Sequence, residues 1–550
     1  MKGSGEGFAG GGVCKWRVFV ALVVVLLGTI FVLVMRPEWL PVWPSVVAIG
    51  MAVATRRVLL ALAVGGLSGA VLHAGGDFFQ AGADWLVRDV AGSVSGSWKV
   101  TVILVTLLMG GFAALMENNG VMSRFFSAAK KPASPKRIEA TAFLSGVVCF
   151  FDGLANSLLV GRVMRGVFDR AGVARVRLAY IADSTASPVA CVALASTWIA
   201  YQLAVIKEGT DAAGVDVVPY GLFLASWPAV FYCWASLLCV GLFVFTRWDV
   251  GPMAKCEAAR SEGPVGHFVL EGGDEAGGEN FSPPGLWRFW VPLLVLLVSL
   301  VGGLWWDGFR KLSEASNVAG IGFADAVGAA DAASVLLVGT VLSCAVAWMC
   351  FPVNRTAGSA GEVFLSGAQG MLYPVAVLLL AWALGSTLKL LGTTTYLASL
   401  AGEKFPVFLF PAVVFVVSCV VAFSSGTSWG TMGVLMPMVI PLGLELSGGA
   451  DTLTSPAVFG AVAAVMSGAV FGDHCSPVSD TTIVSATSSG CGTWEHVSTQ
   501  MPYAVVAAIS SLFFGFIPLG MGLPAWMCLF MVCLGILFLR TADSFLKKKS

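Results

Sequence analysis

The chain has 550 residues, 57% of them hydrophobic and only 12% charged, with a mean hydropathy of +0.85; soluble domains run at roughly 25% charged. Its 32 basic and 32 acidic residues are too few to coat several soluble domains, and their zero balance offers no basic field to a nucleic acid. A soluble enzyme, a secreted disulfide scaffold, a disordered chain and a nucleic-acid binder are disfavoured together, which leaves an all-α polytopic membrane protein. The 13 cysteines agree. Their number is odd, most sit in apolar runs, and none has zinc-ligand spacing, so they read as small apolar fillers.

In chain order, apolar runs predict twelve spans: 18–35, 42–55, 58–74, 100–116, 178–206, 220–245, 286–304, 332–351, 367–391, 454–490, 502–520 and 524–539. The first follows Lys2, Lys15 and Arg17 but meets no small-residue cleavage site, so it reads as an uncleaved span. The spans 178–206 and 454–490 exceed the ~20 residues of a straight crossing, and each carries polar residues and a proline near its middle. The one hydrophilic insert, 247–285, reads as a flexible cytoplasmic loop between a first half (1–246) and a second half (286–550).

Two segments do not read as simple spans. The stretch 138–161 has Asp152–Ser157 in its middle, with Arg124, Lys130, Lys131, Lys136 and Arg137 before it and Arg162, Arg165, Arg170, Arg175 and Arg177 after it. Basic flanks on both sides place both ends in the cytoplasm. Twenty-four residues are too few for two crossings of ~20 residues each. The segment is therefore expected to enter and return as an inward-opening re-entrant hairpin with 152–157 at its tip. The segment 405–446 centres on Ser424–Thr431 and becomes an outward-opening hairpin, entered near Glu403 and Lys404 and left near Glu445 and Asp451. This threading puts the N-terminus, Arg56, Arg57 and the Lys547–Lys549 tail in the cytoplasm. The loops 77–89 and 307–331, with Glu208, Asp211 and Asp216, fall outside.

The two halves share an order: span, polar-tipped hairpin, then a broken span with an acid and Ser-Pro. Ala182–Val189 reads Ala-Asp-Ser-Thr-Ala-Ser-Pro-Val; Gly472–Val478 reads Gly-Asp-His-Cys-Ser-Pro-Val. With hairpins opening to opposite sides, this is the pattern of an inverted-topology repeat, in which secondary transporters hold their site near the midplane. Pro188 and Pro477 free backbone carbonyls, and hard-oxygen ligands for a cation crowd around them. Asp473, Ser476, Asp480, Thr481 and Thr482 surround one break; Asp183, Ser184, Thr185 and Ser187 surround the other. Asp152, Asn156, Ser157, Ser425, Thr427, Ser428 and Thr431 lie at the hairpin tips. Acids inside spans are costly and are functional by default; Asp473 and Asp480 are the first choice as Na+ ligands. Asp152 and Asp183 also read as helix caps or partners of Arg162 or Arg165. His474 is a proton-relay candidate or a hydrogen-bonded structural histidine. Trp429 reads as packing.

These strings resemble the NhaC family of sodium/proton antiporters: Ser425-Gly-Thr-Ser-Trp-Gly-Thr431, Phe471-Gly-Asp-His-Cys-Ser-Pro-Val-Ser-Asp-Thr-Thr482 and Thr499-Gln-Met-Pro-Tyr503, with Phe151-Asp152, Ala155-Asn-Ser157 and Tyr180–Ala190 in the first half. The position after Asp152, often a second acid in that family, is Gly153 here. The resemblance implies a helical secondary carrier with a scaffold and a mobile transport domain, exchanging Na+ for H+ across the cytoplasmic membrane. It implies no cofactor beyond the transported ions, a lipid bilayer as partner, and homodimerisation as an open option. The family also includes exchangers of organic anions, such as malate against lactate, so a Na+/H+-coupled carrier of small organic anions or amino acids is the alternative. An intramembrane enzyme would need a nucleophile–base pair or a two-His metal site, and of His73, His267, His474 and His496 only His474 falls in a polar break.

Overall fold

The computed structural model describes residues 9–119, 121, 134–261, 285–315, 322, 326, 330–352, 358–393, 396, 406–449 and 453–547. Arg124, Lys130, Lys131, Glu403, Lys404, Asp451, His267, Lys548, Lys549 and residues 316–321, 323–325 and 327–329 of the 307–331 loop lie outside these residues. The described chain is helical throughout, with no strand. Its principal helices are α1 (Ala9–Met35), α2 (Trp43–Thr55), α3 (Val58–His73), α4 (Ser97–Asn118), α5 (Pro135–Val148), α6 (Gly153–Arg170), α7 (Arg175–Val192), α8 (Thr197–Ala212), α9 (Phe231–Thr246), α10 (Pro252–Ser261), α11 (Trp287–Ala315), α12 (Ala332–Cys350), α13 (Ala360–Gly370), α14 (Leu372–Leu390), α15 (Phe410–Ser425), α16 (Ser428–Leu446), α17 (Pro456–Cys475), α18 (Asp480–Ser489), α19 (Thr493–Ser510) and α20 (Ala525–Lys547). Ten helices among the described residues are long and apolar enough to cross a membrane, or up to twelve if each of two bent pairs is one span.

Several boundaries differ from the sequence reading, each for a local reason. The segment expected as one hairpin at 138–161 is the helix pair α5–α6 joined by 149–152. Asp152 ends the turn as the N-cap of α6, so 153–157 form that helix's first turn rather than the tip. The segment expected as a hairpin at 405–446 is the helix pair α15–α16, turned at Gly426 and Thr427, and each arm is by itself long and apolar enough to cross a membrane. The first broken span is broken later than expected. Pro188 sits inside α7, and the chain bends by 48° only after Val192, where Ser196 caps α8 through the amides of Trp198 and Ile199. A proline inside a helix is tolerated where packing over-determines the backbone, and all of Val176–Val192 is buried. The second break falls at Pro477, between α17 and α18, as the sequence indicates. The span expected from Pro502 begins at Thr493, with Pro502 inside α19. The insert 247–285 contains α10; its residues 262–284 lie outside the described set.

One apolar core runs through the helices, while outer faces carry large exposed apolar side chains such as Leu27, Val298, Phe530 and Phe538. A bilayer supplies the partner for such a surface. Two packing features hold the helices in register. The helices α15 and α17 touch backbone to backbone: a Cβ on Gly472 would fall 2.2 Å from the Cβ of Ala422, and one on Gly468 2.4 Å from that of Ser418. Small residues allow this approach and tie the helices together. At the other end, Arg177 of α7 is fully buried and bonds Glu139 of α5 at 2.6 Å and Asp249, just after α9. Glu139 also faces Arg247 at 3.7 Å, and Arg247 faces Glu257 of α10 at the same distance. The Arg177 guanidinium lies 4.1 Å from the centroid of Phe243.

Candidate functional site

Each hairpin turn docks on the break of the span after it. Asp152 accepts the Ala155 amide at 2.7 Å and the Thr197 hydroxyl at 2.8 Å, and the Thr197 amide donates to the Phe151 carbonyl at 2.9 Å. The first turn is thus pinned to the start of α8. In the second half Thr427 caps α16 through the Gly430 amide at 3.3 Å. Gly426 beside it presses on the second break. Its φ is +70°, and a Cβ there would lie 2.8 Å from the Val478 side chain and 2.9 Å from its carbonyl. A left-handed residue with no room for a side chain must be glycine. We expect Gly426→Val to part the turn from the break and to weaken cation binding by at least about tenfold, the equivalent of one lost 1.4 kcal/mol contact; Na+ titration of the purified variant checks this.

Asp473 lies in the last turn of α17, 2% exposed. Its carboxylate accepts the Ser187 hydroxyl at 3.0 Å and the Ser479 hydroxyl at 3.1 Å, and the Ser428 hydroxyl faces it. The Asp473 carbonyl accepts the Thr482 hydroxyl. Hydroxyls from α7, from the start of α16 and from the second break therefore meet on one acid. Beside it is a cavity of about 170 Å³. Asp152, Asp473, Asp480, Thr427, Ser428, Ser479 and Thr481 supply its polar lining, and Trp198, Trp429 and Tyr373 its aromatic walls. No lysine, arginine or histidine is among the lining residues. Asp480 is exposed, while Ser479 bridges to Thr481 at 3.2 Å. Among the described residues no three His, Cys, Asp or Glu side chains cluster as a multidentate metal site.

The other residues singled out in the sequence fall outside the cavity. Asp183 is fully buried in a separate cluster, where it accepts from Gln500 at 2.7 Å and Ser485 at 3.2 Å and pairs with His496 Nε2 at 3.2 Å. Asn156 donates to the Gly146 and Thr185 carbonyls at 2.7 and 2.8 Å, locking the first hairpin to α7. Thr431 bonds back to the Thr427 carbonyl at 2.9 Å. The hydroxyls of Ser157, Ser425 and Ser476 are buried with no hydrogen-bond partner among the described residues. His474 turns away from the cavity, its Nδ1 2.9 Å from the Tyr232 hydroxyl. The histidine paired with an intramembrane acid is instead His496, which lies outside the polar break that contains His474. Trp429 walls the cavity rather than merely packing, with its carbonyl held by the Tyr201 hydroxyl at 2.5 Å. Ser479, Thr197 and Trp198 are further site residues that the sequence reading misses. Ser479 stands inside the Ser-Pro-Val-Ser-Asp string, which is signal enough to find it; nothing local marks Thr197 or Trp198.

Paired helical turns set against broken spans around a buried carboxylate, in an all-helical membrane-spanning chain, define a polytopic membrane transporter. Residues 189–518 match the model of the Na+/H+ antiporter family, and the chain belongs to that family. This bears out the resemblance carried by the Ser425–Thr431 and Phe471–Thr482 strings; Asp152 and Asp183 lie before the matched region. An uncharacterized protein of Haemophilus influenzae is 30% identical over 480 residues, 85% of this chain and 88% of that one. Over 109 residues, 19% of this chain and 21% of the relative, the identity is 37% to the arginine/ornithine antiporter ArcD of Halobacterium salinarum. Over 112 residues, 20% and 22% of the two chains, it is 31% to the malate-2H+/Na+-lactate antiporter of Bacillus subtilis. The YdaH transporter of Alcanivorax borkumensis shares the fold, with a TM-score of 0.56 at 16% identity over 82% of this chain and 90% of that one.

Proposed function

We propose that this protein exchanges Na+ for H+ across the cytoplasmic membrane, both ions competing for Asp473 under alternating access. The observation that carries the reading is the convergence of hydroxyls from three parts of the chain on one buried acid beside a cavity bounded by both hairpin turns. Carboxylate and hydroxyl oxygens are hard ligands suited to a small alkali cation. A proton on Asp473 removes the charge that holds Na+, so the ions exclude each other without a long-range coupling. Asp480, at the exposed side, and Asp152 add negative potential that draws cations in. Ser187 joins the first half to the Asp473 site, and Thr427, Ser428, Thr481 and Ser479 complete the ligand set. The family match and the YdaH fold support a secondary antiporter as the class.

The topology belongs to the same proposal: halves 1–246 and 286–550 in inverted orientation, with the 247–285 loop and both termini cytoplasmic. The shared docking of each hairpin turn on its own break supports it. Single cysteines replacing Lys136 and Arg170, both exposed at the outer ends of the first hairpin, are expected to react from the cytoplasmic side only. Labelling from opposite faces makes α5–α6 an ordinary crossing and removes the inversion.

The coupled carriage of an organic solute is the second reading. The cavity exceeds the needs of a bare ion, and the two partial relatives carry amino acids and carboxylates by name. Liposomes with an imposed pH gradient separate the two. Na+ flux that proceeds with no organic solute supports simple exchange; flux that requires malate, lactate or an amino acid supports the second reading.

A further inference from the structure

We infer that the cavity beside Asp473 admits a small organic cation, bearing a primary ammonium or guanidinium group, in competition with Na+. The inference rests on the reading of this cavity as the cation site and names what else that site takes.

Charge comes first. Three carboxylates line the cavity and no basic side chain does. An organic anion entering there meets like charge in a low-dielectric setting, the least favourable electrostatic arrangement available. A cation meets acceptors. Asp473 and Asp152 are buried, and the Asp473 carboxylate keeps lone pairs beyond the two serine hydroxyls it already accepts. Ammonium and guanidinium groups carry only donors, so they match such a lining without leaving a polar group unsatisfied.

The second argument is the aromatic wall, which Na+ alone does not explain. Trp198 and Trp429 stand with ring centroids 5.7 Å apart and planes inclined by 59°, forming a corner. Trp429 is in turn held by the Tyr201 ring, its centroid 4.6 Å away, and by the Tyr201 hydroxyl on its carbonyl. Indole faces attract organic cations through the ring quadrupole and also cover their carbon atoms. Size is the third argument. About 170 Å³ exceeds the roughly 150 Å³ of an engineered cavity that takes up benzene. A dehydrated alkali ion leaves most of this space unused, whereas an amine with a few carbons fills it.

The test is competition against radiolabelled Na+ on the purified full-length protein in lipid nanodiscs. The medium is alkaline, and ionic strength is held constant with N-methylglucamine chloride. Ethylammonium and guanidinium chlorides are the probes, and lactate is the anionic control. Ethylammonium is expected to displace Na+ at concentrations at least about tenfold below N-methylglucamine, with lactate inert. Trp198→Leu is expected to raise the ratio of the ethylammonium to the Na+ midpoint by about five- to thirtyfold, the range from an exposed to a desolvated cation–π contact. Trp198→Phe, which keeps a ring, restores most of it and controls for misfolding. Ethylammonium no better than N-methylglucamine, in protein that binds Na+, overturns this inference and leaves Na+ exchange standing. Displacement by lactate at lower concentration than by ethylammonium overturns it too. Absence of Na+ binding removes the exchange reading instead; the ethylammonium inference is then upheld or overturned by whether that probe raises the melting temperature.

Discussion

Asp473→Asn is expected to abolish Na+-driven proton movement while the protein still reaches the membrane. The amide keeps the shape of the side chain, and both flanking serines retain a partner, since a hydroxyl donates to the amide oxygen and accepts from the amide nitrogen. What is lost is the charge and the titratable proton. Charge-assisted contacts contribute about 1.5–3 kcal/mol each, so an ion that loses its one buried carboxylate ligand should bind at least about a hundredfold more weakly when two such contacts are weakened. Asp473→Glu moves the charge by one methylene and should keep partial activity with a displaced pH optimum, each pH unit of displacement corresponding to about 1.4 kcal/mol. Proton-coupled Na+ flux in proteoliposomes is the measurement. Wild-type flux by Asp473→Asn would remove Asp473 from the mechanism and pass the role to Asp480 or Asp152.

The largest effect on stability is expected at Arg177. It is fully buried with Glu139, which is fully buried as well, and its guanidinium joins α5 and α7 to the chain after α9. Arg177→Leu leaves Glu139 as a buried charge whose next cation, Arg247, is 3.7 Å away. Breaking a buried pair on one side costs about 3–5 kcal/mol, whereas replacing both members by apolar groups is often neutral. Arg177→Leu should therefore lower the melting temperature sharply in detergent. Adding Glu139→Leu should recover most of the loss, and Arg177→Lys should fall between, keeping the charge without the fork that reaches both carboxylates. A single variant that melts with the wild type would mean that this network does not hold the helices together.

Much of this is legible in the sequence, for reasons visible at particular residues. Pro477 marks a break because it coincides with a run of Ser, Val and Ser that leads into the next helix. Pro188 misleads because the same residue type inside a fully packed helix does not break it; Ser196 does, by capping α8. The polar run at 152–157 marks a turn of the chain, but that turn ends at Asp152 because this side chain caps α6 and draws 153–157 into the helix. The joining of Ser187 to Asp473, across 286 residues, is a tertiary event with no local signature. The same holds for Asp183, whose partners Ser485, His496 and Gln500 all come from the far end of the chain. His474 stands out by its neighbours in sequence, and His496 acts by its neighbours in space.

The contact of α15 with α17 limits how the site can open. Gly468 and Gly472 seat one helix on the other so closely that the arm leading to the second turn and the helix carrying Asp473 form one tightly packed pair. Under the proposed exchange, turn and acid would travel together, and the two sides of the membrane would be reached by carrying the carboxylate along. An unloaded carrier of this kind would drag a bare negative charge through apolar surroundings. At about 2.5–3.5 kcal/mol for an ionised aspartate at mid-bilayer, that idle stroke would be slowed roughly a hundredfold or more relative to a loaded one. On that reading the tightness of two glycines would set the leak of the carrier, and with it how steep an ion gradient the cell could hold against it.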